Sequence, residues 1–376
     1  MNVKMIIPMM MIAAMPMGAD AQNKSGLVMQ NLDKTVKPAD DFYQFATGGW
    51  QKNHPLPAAY SRFGSFDQLA EDNNKRINDI LAELQKKTYK KGTIEQKLSD
   101  FYKQALDMES RNKVGIAPVK PLLDEMEAAK SKADLEKIQL KYAAQGYGVS
   151  FGGGFGADEK NVTMNIFQLS QGGLTLGQKD YYVNNDEATV AIREAFKKYI
   201  ADMFKLYGFS AEQAEEKAQA VFQHETMLAL ISKSATELRN PQANYNKMTL
   251  KEFQSSYPNL HLEEMCNAEG IKSEFIQDMI VGQPAFMEGL DKITAAESAA
   301  TLKALMEWDV ITSSAAYLTD EIRECNFDFF GKTMSGRKED YPLWKRAVNQ
   351  VQSQMGEPLG RMYCKRYFPE SSKKIM

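Results

Sequence analysis

From residue 40 onward, apolar side chains recur at the three-and-four spacing of helices, with one interruption. In "FGSFDQLAEDNNKRINDILAELQKK" the spacing predicts a helix with Phe66, Leu69, Ile77, Ile80, Leu81 and Leu84 along one face. "IEQKLSDFYKQALDME" repeats the pattern with Leu98, Phe101, Tyr102 and Leu106. "VKPLLDEMEAAKSKADLEKIQLKYAAQG" reads as two short helices, the second stopped by Gly146. The period then changes. "YGVSFGGGFGADEKNVTMNIFQLS" alternates at Val162, Met164 and Ile166, which predicts a β-hairpin turning at "ADEKN". Helical spacing resumes near Asp186 in two long segments. Ser210 with Gln213 forms a capping box at the start of the second. Thr249 opens a short helix, and two further helical stretches follow, one from "AESAATLKALMEW" and one from "LWKRAVNQVQSQMGEPLGRMYCKRYF". The final Pro369-Glu370 begins a helical turn with six residues left. The pattern predicts a mainly α fold: one large helical domain with a small β-hairpin.

The first 21 residues differ from the rest. Lys4 precedes an apolar run from Met5 to Met17, and Ala19-Asp20-Ala21 is a small-x-small cleavage site before Gln22. This is the pattern of a secretory signal peptide. The run is shorter than the roughly 20 residues of a membrane span, so no stable span is expected. The expected location is periplasmic or extracellular. Residues 22–38 read as a flexible entry, and 39–376 as the helical domain.

Composition narrows the function. A net charge of −3 carries no polycationic signature for nucleic acid. The 22 methionines read as core filler. Three scattered cysteines, Cys266, Cys325 and Cys364, lack metal-ligand spacing and read as small buried hydrophobes, with one disulfide as the alternative. Gly152-Gly153-Gly154 lacks the Lys-Ser/Thr of a phosphate loop and reads as close backbone packing. Asn161-Val162-Thr163 matches a glycosylation sequon. His224-Glu225 begins like a zinc-protease helix, but position 228 is Leu where a second histidine is required. His224 therefore reads as a helix-surface or boundary residue, and His54 as a loop residue. No Gly-x-Ser-x-Gly elbow is present. Asp40-Asp41 reads as a helix cap. The residues by themselves show no catalytic centre.

Six blocks, in order, resemble the neprilysin and endothelin-converting-enzyme family of zinc metalloendopeptidases. They are "PADDFYQFATGGWQKNHPLP" with "SRFGSFDQL" directly after it, then "GGLTLGQKDYY", "NPQANYNKMTL", "LWKRAVNQV" and "GEPLGRMYCKRYFPESSKK". In the first block Gly48-Gly49 is expected to break a helix and let Trp50 fold back. Ala39 and Thr47 stand where animal members carry cysteines. The resemblance implies that Arg62 reaches into the substrate cleft on the primed side and that Asp67 orients it. An arginine fork suits a peptide carboxylate or carbonyl. The resemblance also implies zinc as cofactor of the full-length family and oligopeptides as substrates. The family's H-E-x-x-H, later glutamate ligand and Asn-Ala-Tyr/Phe segment do not occur in this sequence. The expectation is the N-terminal helical part of such a peptidase, cut before its catalytic lobe, with no catalysis and no bound zinc of its own. A non-catalytic exported peptide-binding or interaction protein and a non-functional truncation are the alternatives.

Overall fold

A computed structural model describes residues 27–142 and 150–374. The signal-peptide reading and the Gly146 stop fall outside the described residues. Contacts divide the chain into two compact units. One holds the described residues up to Pro57 with Arg62–Gln68; the other holds Ala58–Ser61 and the described residues from Leu69 onward.

In the first unit, helix α1 (Phe42–Asn53) begins at Asp41, whose side chain accepts the Gln44 N–H at 2.8 Å. That is the expected cap. Gly48-Gly49 does not break this helix, contrary to expectation; α1 runs through both glycines. Their use is close approach. A Cβ on Gly49 would lie 2.2 Å from the Gln30 carbonyl oxygen. That carbonyl belongs to a 3-10 turn at Met29–Asn31. The Asp33 N–H donates to Phe45 O at 2.8 Å.

The helices that follow are α2 (Ser65–Leu84), α3 (Ile94–Leu106), α4 (Met108–Val114), α5 (Lys120–Ala128) and α6 (Lys132–Tyr142). The hairpin is present: β1 (Phe151–Asp158) pairs antiparallel with β2 (Asn161–Gln171), Phe155 opposite Phe167. Then come α7 (Asp180–Val183), α8 (Glu187–Leu206), α9 (Ala211–Ile231) and α10 (Pro241–Asn244). Next are β3 (Lys247–Thr249), α11 (Leu250–Ser256), α12 (Leu262–Ala268), β4 (Asp278–Val281), α13 (Pro284–Ala296), α14 (Ala299–Ser314) and α15 (Asp320–Asn326). A π-helical stretch, Phe327–Met334, continues α15; α16 (Leu343–Tyr367) and the single turn α17 (Glu370–Lys373) end the described chain. The β element is larger than a hairpin. β4 joins β2 in parallel and β3 joins β4 antiparallel, giving a four-stranded sheet ordered β1-β2-β4-β3.

Three cores hold the second unit. Phe196, Ile200, Met203 and Phe204 of α8 pack with Val221 of α9 and Val310 and Ile311 of α14. Phe167, Leu169, Met279 and Val281 of the sheet pack with Phe253, Phe286 and Leu290. Ile77, Leu81 and Leu84 of α2 pack with Leu98 and Tyr102 of α3 and Val348 and Val351 of α16. The apolar stripe of α2 outruns that core. Phe66 is 85% exposed and Leu69 63% exposed, so the predicted face is buried only from Ile77.

Candidate functional site

Two sites are described separately, one in each unit. In the first unit, the last turn of α1 and the segment Arg62–Ser65 line a cavity of about 560 Å³. Trp50 is its central surface. One turn later, just past the end of α1, the His54 ring stacks on the indole with centroids 4.4 Å apart, and Phe63 stacks at 6.2 Å. His54 lies just past α1 as its half-buried C-cap, consistent with the loop reading, and its Nδ1 is 2.8 Å from Trp50 O. Tyr43, Thr47 and Leu56 complete the aromatic and polar walls.

Arg62 lines this cavity and is exposed. Among the described residues, no hydrogen bond or ion pair holds its guanidinium. Asp67 sits in the first turn of α2, half-buried, and its Oδ2 accepts the Gly64 N–H at 2.8 Å. The structure brings the two candidates onto neighbouring turns but pairs Asp67 with the backbone of the Arg62–Ser65 segment. Asp67 thus fixes the loop that carries Arg62 and does not touch the guanidinium. The chemistry available is a free cation beside aromatic faces, suited to the carboxylate or carbonyl of an extended peptide.

In the second unit, His224 and Glu225 lie on the inner face of α9, 4% and 3% exposed. The surface or boundary reading of His224 is therefore corrected. The cause is tertiary: α13 and α14 both cover this face. His224 pairs through Nδ1 with Glu297, at the end of α13. Glu225 accepts from Thr175 Oγ1 at 2.7 Å, from Thr175 N at 3.1 Å, and from the Tyr182 hydroxyl. Trp308 Nε1 donates to Thr175 Oγ1 at 3.3 Å. Burial pushes the Glu225 carboxyl up from the usual carboxylate range, opposed by these hydrogen bonds and by His224. Beside the network lies a cavity of about 340 Å³, lined also by Lys132, His261 and Asp309.

This network accounts for "GGLTLGQKDYY". Gly173 has φ +78°, a conformation that favours glycine, and turns the chain so that Thr175 meets Glu225. Tyr182 then closes the same carboxylate from α7. Sequence reasoning missed the cluster because its members lie 50 residues apart; the His224-Glu225 pair was the one local signal.

The residues do not fit zinc. His224 and Glu225 are adjacent, so their side chains diverge around the helix, and each is committed to another partner. Among the described residues, no group of three or more His, Cys, Asp or Glu is placed to hold a metal ion. The cysteines are free; Cys266 is buried, Cys325 half-buried and Cys364 exposed, so the buried reading fails for Cys364. No helix among the described residues is long and apolar enough to cross a membrane.

The family model described as Peptidase family M13 matches residues 38–376. Human endothelin-converting enzyme 1 is 25% identical over 357 residues, covering 93% of this chain and 46% of that protein. Neprilysin-3 of Drosophila melanogaster is 25% identical over 368 residues, with the same coverage. The chain thus spans about half the length of the curated relatives it matches. Among solved structures, the zinc metalloprotease ZMP1 of Mycobacterium tuberculosis, in complex with an inhibitor, superposes with TM-score 0.86 at 25% identity, covering 93% of this chain and 53% of that one. PepO from Lactobacillus rhamnosis shares the fold at TM-score 0.74, 20% identity and 90% coverage of this chain, 53% of its own. The mainly helical architecture, the four-stranded sheet and the match over nearly the whole described chain agree, and this chain belongs to peptidase family M13.

Proposed function

We propose that this chain is the helical N-terminal part of an exported zinc metalloendopeptidase of the neprilysin type, acting on oligopeptides, and that it supplies substrate binding and not hydrolysis. The family match over residues 38–376 carries this reading. In such an enzyme zinc polarises the scissile carbonyl and activates its water; this sequence contains no H-E-x-x-H to hold the ion. Arg62 is the substrate-binding residue. Its free guanidinium beside Trp50 and Phe63 supports a role in holding the C-terminal side of a bound peptide. Asp67 supports it from the loop. Export rests on Lys4, the apolar run and Ala19-Asp20-Ala21.

Fusion of this chain to the catalytic lobe of a family relative tests the reading. The fusion should cleave peptides in a zinc-dependent way. In it, Arg62→Met should weaken substrates bearing a free C-terminal carboxylate by about 1.5–3 kcal/mol, the worth of a charge-assisted hydrogen bond. Amidated substrates should lose less. Asp67→Asn should act in the same direction by loosening Gly64. An active fusion in which neither change moves the carboxylate-to-amide ratio would rule out the substrate role of Arg62. N-terminal sequencing of the exported chain checks cleavage after Ala21; a chain still starting at Met1 would refute it.

A further inference from the structure

A second cavity, of about 380 Å³, lies between α3, α15, the π-helical stretch and α16. It is independent of the peptidase reading. Four arginines line it: Arg111, Arg323, Arg337 and Arg346. Among the described residues, Asp340 is the single carboxylate in its wall, and it is already saturated. Arg323 Nη1 reaches it at 2.8 Å, Arg337 Nη2 at 3.1 Å and Arg346 Nη1 at 3.5 Å, and the Tyr341 N–H donates to it at 2.7 Å. Among the four arginines, Asp320 and Glu324 lie within ion-pair distance of Arg323. Arg111 donates to the neutral Gln350 at 2.8 Å. Four arginines thus face one carboxylate in the described wall, while Asp107 attracts Arg111 and Asp320 attracts both Arg111 and Arg346 from outside it.

The hydrogen bonding is incomplete at the same place. Among the described residues, the Nε atoms of Arg337 and Arg346 are buried and have no hydrogen-bond partner. An unpaired buried charged donor costs more than a neutral one, and native structures rarely leave such groups unanswered without reason. The side chains keep about a fifth of their surface accessible, 20% for Arg337 and 21% for Arg346, so a small solute reaches them. The Arg346 guanidinium is held below its ordinary range by burial and by repulsion from Arg323 and Arg111, opposed by Asp340 and Asp320. The cradle is also built. The π-helical stretch brings Phe327, Phe330 and Gly331 to the wall, and such wide turns recur at functional sites. Arg337 stacks over Phe327 at 5.0 Å and over Tyr341 at 4.3 Å, which fixes its fork.

We propose that this cavity binds a small phosphate-class oxyanion, with the Nε–H groups of Arg337 and Arg346 donating to its oxygens and Arg111 adding charge. Calorimetric titration of the purified chain with inorganic phosphate, at constant ionic strength against a chloride control, tests it. Saturable one-to-one binding is expected, with the Arg337 and Arg346 Nε–H resonances shifting along the same isotherm. Arg337→Gln and Arg346→Gln should each weaken binding at least tenfold. Asn349→Asp, which adds a carboxylate to the wall and keeps every arginine, should do the same and covers the case in which the arginine variants fail to fold. Tighter binding of glycerol 3-phosphate than of phosphate would assign a monoester; equal or weaker binding would assign the free ion. No heat beyond the chloride control with unmoved Nε–H resonances would overturn the site. So would an unchanged affinity in the folded variants, or succinate binding as well as phosphate.

Discussion

Glu307 shows what burial does to a single charge. Its side chain on α14 is fully buried, and Lys217 Nζ donates to it at 2.6 Å while also reaching Glu127 at 2.9 Å. Burial dominates, and the Glu307 carboxyl is pushed up to about 8 from an ordinary 4.5. The folded chain therefore holds this proton more tightly than the unfolded chain. The stability it contributes is complete below about pH 4.5 and is lost as pH rises through about 8. Glu307→Gln should flatten the fall in unfolding free energy between pH 5 and 8, measured by denaturant titration at several pH values. An unaltered slope would show that Lys217 keeps Glu307 ionised. Tyr182 offers a simpler case. Tyr182→Phe removes one donor from the buried Glu225 and the acceptor of the Leu176 N–H at 3.1 Å. A loss of about 1–3 kcal/mol is expected from equilibrium unfolding, with helical content unchanged. Neither residue announces itself in the sequence. Glu307 sits in a run that reads as one amphipathic helix among many, and Tyr182 in the single turn α7, whose partner Glu225 lies on a helix 43 residues away.

Elements were far more legible than the contacts between them. Local caps were readable because cap and helix share a few residues: Ser210 with Gln213 and Thr249 with Glu252 both close full capping boxes. β3 and β4 were not readable. β4 has four residues, three of them buried, so it lacks the alternation of a half-exposed strand. Its parallel pairing with β2 spans more than 100 residues and leaves no local mark. The π-helical stretch was missed for the same reason, since its wide turns are set by packing. It shows in side chains reaching back five residues, Thr333 to Asp328 O and Ser335 to Phe330 O. The glycines separate by what surrounds them. A Cβ on Gly331 would lie 2.1 Å from the Phe327 ring, so Gly331→Ala should cost about 1–3 kcal/mol by overpacking. A Cβ on Gly154 of β1 would meet nothing within 4 Å. Gly154→Ala should leave stability unchanged or raise it by about 0.4–1 kcal/mol through the unfolded chain. Thermal melts of the two variants in parallel check both. A destabilised Gly154→Ala would mean that the glycine-rich strand serves a close approach that the described residues do not show.

For the chain as a whole, the resemblance carried by six blocks proved sound at the level of family, while the sequence contains no H-E-x-x-H. Three of the blocks carry identifiable packing devices: the Gly49 approach to Gln30, the Thr175 contact with Glu225 across 50 residues, and the Asn240 cap of α10. Arg62 was legible only through the resemblance, since one arginine in a loop carries no signal of its own. Zinc is the sharpest test of this division. Tetrahedral binding needs three or four converging ligands at about 2.0–2.3 Å. His224 has one ring nitrogen committed to Glu297, and Glu225 has both oxygens occupied by Thr175 and Tyr182. Recruiting them would break a buried His224–Glu297 contact and leave the Glu225 carboxylate unsatisfied, at a cost of several kcal/mol. The purified chain, loaded with zinc and dialysed, should therefore retain well under one ion per molecule by elemental analysis, and a chelator should leave its melting temperature unchanged. Retention of one tightly held zinc that His224→Ala abolishes would show that the buried pair opens into a metal site, and would move hydrolytic chemistry into this half of the family fold.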